Sequence, residues 1–326
     1  MSLPQTMKAA IATAYGGPEV VRIETRPVPV PKADEVLIEV VATPVNSGDA
    51  RIRGLDAPAG MGPMMRLATG WTRPRQPILG IEAAGRVAAV GANVTGFAVG
   101  DEVIAAPGFS MRCHAQYVAV NSKAAMVKKP AGLSFEEAVA LCFGGTTALE
   151  FFRKAGLASG EHVLVIGASG AVGTAMVQLA RRAGARVTAA TSAANADLVR
   201  ELGADAVIDY HATDYTEAVA EYDVIADTVG ASSFSQCLGA LKPGGRYLAI
   251  AGGIPDMLAR RRGDKRPVSG MAVARRDDMT LLAELAARGE YRAVIDEIFD
   301  FEDIAKAHAR VDSKRKRGSV VVRVGG

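Results

Sequence analysis

Two kinds of alternation divide this chain. In the first third, apolar positions fall into short runs of strand length: Lys8–Ala12, Glu35–Ala42, Gly85–Val90, Asp101–Ala105 and Ala115–Val120. Gly/Pro turns such as Pro29–Lys32 and Gly91–Gly100 separate them. From Ser134 onward the pattern changes. Strand-length runs at Val163–Ile166, Arg186–Ala190, Ala206–Ile208, Asp223–Ala226 and Tyr247–Ile250 alternate with helical stretches at Asn195–Leu202, Thr213–Ala220 and Ser232–Leu241. Such alternation predicts an α/β fold with a doubly wound parallel sheet. A helix at Asp277–Arg288, a strand at Val294–Phe299, a helix at Phe301–Val311 and a strand at Gly318–Val324 follow, the last placed to return to the β-rich part.

The run Val163–Ile166 stops at a glycine-rich turn, Gly167-Ala-Ser-Gly-Ala-Val-Gly173, and a helix begins, with Val172, Ala175, Met176, Leu179 and Ala183 at 3.6-residue spacing. Strand, turn and helix in this order predict a dinucleotide site. Gly167, Ala168, Ser169, Gly170, Ala171, Val172 and Gly173 would bring backbone close to a pyrophosphate, with the helix N-terminus supplying free N–H groups. Ala251 and Gly252, in the turn after the late strand, are further candidates for contact with the cofactor.

At 326 residues two domains are expected. A net charge of +3 gives no support for nucleic acid, and no apolar run is long enough to span a bilayer. Cys113, Cys142 and Cys237 are scattered and odd in number, which suits reduced thiols and a cytoplasmic protein. Met1–Thr6 reads as added residues ahead of a strand opening at Met7.

Several segments taken together resemble the zinc-free quinone oxidoreductase branch of the medium-chain dehydrogenase/reductase superfamily. They are Lys8-Ala-Ala-Ile11, Asn46-Ser-Gly-Asp49, Leu79-Gly-Ile-Glu-Ala-Ala-Gly85, Val99-Gly-Asp-Glu-Val103, Phe143-Gly-Gly-Thr-Thr-Ala148, the glycine-rich turn, and Leu202–Tyr210. The resemblance implies a GroES-like substrate domain over residues 1–130 and 278–326 and a Rossmann NAD(P) domain over 131–277. It also implies an active site in the cleft between them and a homodimer joined through Rossmann edge strands, for which Tyr247–Ile250 and Met271–Ala274 are candidates.

Zinc enzymes of this superfamily carry a cysteine where this chain has Asn46 and a histidine where it has Ile81, so no metal site is expected. Cys142, near the place of a third ligand, reads as a buried apolar residue. Without a Lewis acid, the favoured acceptors are already electron-poor: quinones, or alkenes conjugated to a carbonyl. The resemblance places Asn46 and Thr146 beside the nicotinamide, although Asn46 could equally close an Asx turn and Thr146 could cap a helix. Arg51 could stabilise an anion, while Asp49 and Glu82 read as structural acids paired with Arg51 or Arg53. Relatives often place a tyrosine after the asparagine turn; this chain has none there, so the proton donor is open. Ala57–Gln76, rich in methionine, reads as a lid or pocket wall, and His114 as a weak candidate for substrate contact.

The second Rossmann strand ends with Thr191 and Ser192 instead of the carboxylate that selects NAD. Hydroxyls there, with Asn195 and Tyr210 nearby, favour NADPH. Two alternatives remain. One is an enoyl-thioester reductase using Arg260–Arg266 to hold a phosphate; the other is a non-catalytic NADPH- or RNA-binding protein on the same fold, with Lys314–Arg317 as its basic run.

Overall fold

The computed structural model describes residues 3–57 and 60–325. Two compact units emerge, one of Met1–Ala57, Gly62–Phe143 and Ala274–Gly326, the other of Pro58–Met61 and Gly144–Val273.

The first unit is built on antiparallel strands: β1 (Thr6–Ala12), β2 (Val21–Pro27), β3 (Glu35–Val45), β4 (Ala83–Val90), β5 (Glu102–Ala106), β6 (Tyr117–Asn121) and β7 (Ala125–Lys128). β1 and β2 form a separate two-stranded sheet. β6 alternates burial, as one sheet face packing on the core requires, whereas β1 and β4 bury runs of four and three consecutive residues. That core gathers Val36, Ile38, Val40, Val87, Val103 and Val118.

The second unit carries β8 (His162–Ile166), β9 (Arg186–Thr191), β10 (Ala206–Asp209), β11 (Tyr222–Asp227), β12 (Leu241–Ala249) and β13 (Arg266–Val268), all parallel, in the order β10-β9-β8-β11-β12-β13. β8 is buried at every position, as a central parallel strand should be. Numbered from β8, the order is 3-2-1-4-5-6, which reverses direction between β8 and β11; ligands bind at such a reversal, beyond the carboxyl ends of the strands.

The chain then returns to the first unit. β14 (Ile295–Asp300) and β15 (Ser319–Arg323) are parallel, and β15 pairs antiparallel with β3, extending the first unit's sheet to β14-β15-β3-β4-β5-β7, with β6 also on β3.

Three expectations need correction. Thr213–Ala220 is no helix: Asp214 accepts from the N–H and hydroxyl of Thr216, closing a single 3-10 turn at Tyr215–Glu217. Ser232–Leu241 is no helix: turns run up to Ala240, and β12 begins at Leu241. The segment's inward-facing Phe234, Cys237, Ala240 and Leu241 mimic helical spacing, while local bonds among Ser233, Ser235 and Gln236 compete with the backbone ladder. The late strand, expected at a sheet edge as Tyr247–Ile250, is interior, paired on both sides by β11 and β13. Strands β2, β7 and β13 escaped the hydrophobic pattern, being short or half-exposed. Met1 and Ser2 lie outside the described residues, and β1 already opens at Thr6.

Candidate active site

β8 ends at Ile166 and the backbone turns at Gly167, in the left-handed region with φ +75°. A Cβ there would sit 2.6 Å from a Val229 methyl. Gly173, in the first turn of the helix Ala171–Arg182, packs so closely on the turn that a Cβ would lie 2.2 Å from the Gly167 carbonyl oxygen. Gly170 caps this helix with extended backbone and no side-chain bond, which leaves N–H groups at its N-terminus for an anion.

Beside this turn stands a group of small polar side chains. Thr191 Oγ1 donates to Ser169 Oγ at 3.1 Å, and Asn195 Nδ2 donates to both Ser169 Oγ and Ser192 Oγ at 3.1 Å. The sequence thus singled out four residues that the fold brings together at the ends of β8 and β9. Asn195 Oδ1 is buried and lacks a hydrogen-bond partner, which leaves a polar atom to be satisfied by a ligand. Arg200 is paired with Asp197 on its own helix at 3.0 Å. Tyr210, half-exposed, lies against the His211 ring with centroids 4.3 Å apart, and its N–H donates to the Thr191 carbonyl. Ala251 and Gly252 follow β12 and are half-buried.

Sequence reasoning missed the loop that closes this end of the sheet. Asp227, the buried last residue of β11, accepts from the backbone N–H groups of Val229, Gly230 and Ser232, from Ser232 Oγ and from the Tyr247 hydroxyl, at 2.7–3.1 Å. Its neighbour Thr228 donates to the carbonyls of Ile166 and Gly167. The run Asp227-Thr-Val-Gly230 at a strand end was the available signal.

Thr146 belongs to the same unit. It is buried within the helix Cys142–Ala155, past its first turn, so the helix-cap alternative does not hold. Cys142 is buried, and burial holds its thiol well above the usual range.

In the first unit Asn46 precedes the helix Ser47–Gly54 and is 2% exposed. Asp49 Oδ2 accepts the Asn46 N–H at 2.8 Å and Oδ1 accepts the Gly80 N–H at 3.0 Å, while Glu82 Oε2 accepts from Asn46 Nδ2 at 2.9 Å. The expected pairing of these acids with arginine is wrong. Arg53 is buried and instead reaches Asp312 at 2.5 Å and the Gly16 carbonyl at 2.8 Å. Arg51 is half-buried on the same helix. Burial pushes Glu82 up to about 8, helped by the nearby Asp49 and opposed by the Asn46 hydrogen bond. Burial also raises Asp49, against the pull of His114 and the two N–H donors.

His114 is buried, its Nε2 3.1 Å from the Pro44 carbonyl oxygen and its ring edge-on to His308 at 5.6 Å; this interior contact argues against a substrate role. Ala57–Gln76 lies partly outside the described residues. Within it the helix Gly62–Thr69 buries no residue, and Leu67 and Trp71 are exposed. Among the described residues no three His, Cys, Asp or Glu side chains are grouped to hold a metal ion, and no helix is long and apolar enough to cross a membrane.

Comparison with known proteins finds similarity along nearly the whole chain. A family model described as an alcohol dehydrogenase GroES-like domain matches residues 32–152, and one described as a zinc-binding dehydrogenase matches residues 202–322. A 2-methylene-furan-3-one reductase of Solanum lycopersicum is 32% identical over 335 residues, spanning 99% of this chain and 80% of the relative. An NADPH-dependent alkenal/one oxidoreductase of Arabidopsis thaliana, chloroplastic, is 30% identical over 98% of this chain and 80% of the relative. The structure of a quinone oxidoreductase from Coxiella burnetii superposes with a TM-score of 0.88 at 26% identity, covering 98% of this chain and all of that one.

Proposed function

The chain belongs to the medium-chain dehydrogenase/reductase superfamily, in its quinone oxidoreductase branch, and on that footing we propose that it is an NADPH-dependent, zinc-independent reductase of quinones or α,β-unsaturated carbonyls. The observation that carries the cofactor half is the hydroxyl and amide group of Ser169, Thr191, Ser192 and Asn195, gathered at a turn whose Gly167 and Gly173 leave no room for a Cβ. Hydroxyl and amide donors suit a 2′-phosphate, which a carboxylate at the end of β9 would repel. Gly167–Gly173 and the helix N-terminus would hold the pyrophosphate, with Tyr210, Ala251 and Gly252 flanking the cofactor.

Bound NADPH supplies a hydride. Asn46 and Thr146 would orient the nicotinamide and the acceptor, and Arg51 would offset negative charge as it develops on the acceptor oxygen. Zinc independence rests on donor chemistry: at two of the positions where zinc relatives carry ligands, this chain has a carboxamide, bound to Glu82, and an isoleucine, and Cys142 near the third cannot hold a metal alone. An electron-poor acceptor needs no Lewis acid to take the hydride. We also read residues 1–130 and 278–326 as the substrate domain and 131–277 as the cofactor domain. The outer edge of β13, where the parallel sheet ends, is the edge we assign to pairing in a homodimer. Three buried cysteines, none of them in a disulfide, favour a reducing compartment, here the cytoplasm.

The test is isotopic. Reduction of an enone with NADPH carrying deuterium at both hydrogen positions of the nicotinamide C4 should place one deuterium on the β-carbon of the product. Product without deuterium there would exclude direct hydride transfer.

A further inference from the structure

Glu82 stands one residue before β4, is 3% exposed, and takes no part in the chemistry proposed above. Two buried acids surround one asparagine: Asp49 holds its backbone N–H and Glu82 its carboxamide nitrogen. Burying carboxyl groups without a cationic partner is costly, and the cost is kept where it fixes something that matters. Side chains that must meet a ligand are held in place by supporting hydrogen bonds of this kind.

We propose that Glu82 is a positioning residue that sets the rotation of the Asn46 carboxamide, and so decides whether Asn46 offers its N–H or its carbonyl oxygen to the acceptor. The inference rests on the assignment of Asn46 to the reacting carbons. A carboxylate only accepts, so ionised Glu82 must engage Nδ2, as observed. A carboxylic acid can donate, so protonated Glu82 can bond Oδ1 and release both Nδ2 hydrogens toward an acceptor oxygen that is gaining negative charge. The groups around Glu82 are Asp49 on the helix Ser47–Gly54, His114 beside Asp49, and the Cys113 and Cys142 thiols. Both thiols are pushed well up, first by burial, then by Asp49 and Glu82 for Cys113 and by Glu82 for Cys142, so they stay neutral while Glu82 titrates.

The experiment follows the Asn46 side-chain amide by ¹⁵N–¹H NMR across pH, assigned by its loss in N46A, together with kcat across pH for wild type, E82Q and E82L. In the wild type the amide pair shifts, and kcat falls, as pH rises through about 8. In E82Q both inflections vanish. E82L, which removes the hydrogen bond, lowers kcat about tenfold or more, and E82Q lowers it less because glutamine still bonds the amide. An Asn46 pair that ignores pH in the wild type, or that titrates unchanged in E82Q, overturns the proposal. If the pair titrates as expected but N46A retains full turnover, Glu82 still positions Asn46 and it is the substrate role of Asn46 that fails.

Discussion

At the residue scale the site depends on single atoms without room to move. A valine at position 173 would drive a side chain into the Gly167 carbonyl, 2.2 Å from the ideal Cβ, so G173V should abolish NADPH binding in a fluorescence titration. N46A should lower kcat about 100-fold, as loss of a donor to a developing oxyanion does, with a smaller effect on KM. Glu82 gives a prediction about stability. Its folded pKa, about 8, lies above its ordinary value of 4.5, so the folded state binds more protons than the unfolded state between those limits. The stabilising contribution is therefore full below pH 4.5 and is lost as pH rises through about 8. E82Q should accordingly gain Tm relative to wild type at alkaline pH, by about 1.5 °C for each kcal/mol relieved, and gain less at acid pH. Equal Tm differences across pH would contradict it. The glycines and hydroxyls were legible in the sequence because their types are tied to backbone approach and to donor chemistry. The roles of Asp49 and Glu82 were not: their partner, Asn46, is local for Asp49 but 36 residues away for Glu82, and the arginine that seemed available was taken by Asp312.

At the element scale, the strand ends form the site. β8 and β9 were legible as apolar runs ending at marked turns, and so was the helix between them. The loop after β11 was not, because its order comes from one buried carboxylate that gathers five donors within a few residues and across to Tyr247. D227A would leave those donors unmatched. We expect a loss of about 3 kcal/mol in denaturant unfolding and a weaker NADPH affinity, since Thr228 and Val229 lie against the glycine turn. Unchanged affinity in a destabilised D227A would separate the loop from the cofactor. The two false helices, at 213–220 and 232–241, share one cause: a buried apolar spacing that turns with local polar bonds satisfy as well as a helix does.

At the scale of the whole molecule, the change from a β-rich third to a βα alternation foretold an antiparallel and a parallel sheet, and the last strand, placed to return to the β-rich part, pairs with β3. What could not be read was the order of strands, which depends on pairings far apart in sequence. Dialysis against a strong chelator should leave turnover unchanged, and added zinc should not raise it; loss on chelation with rescue by zinc would contradict the donor-set argument. The central claim is that this chain passes electrons from NADPH to an electron-poor acceptor. The most direct measurement is the anaerobic initial rate of NADPH oxidation against a small para-quinone and a matched panel of enals and enones, with NADH in parallel. Turnover with at least one of these classes and a preference for NADPH are expected. Tight NADPH binding with no oxidation by any acceptor would contradict the claim.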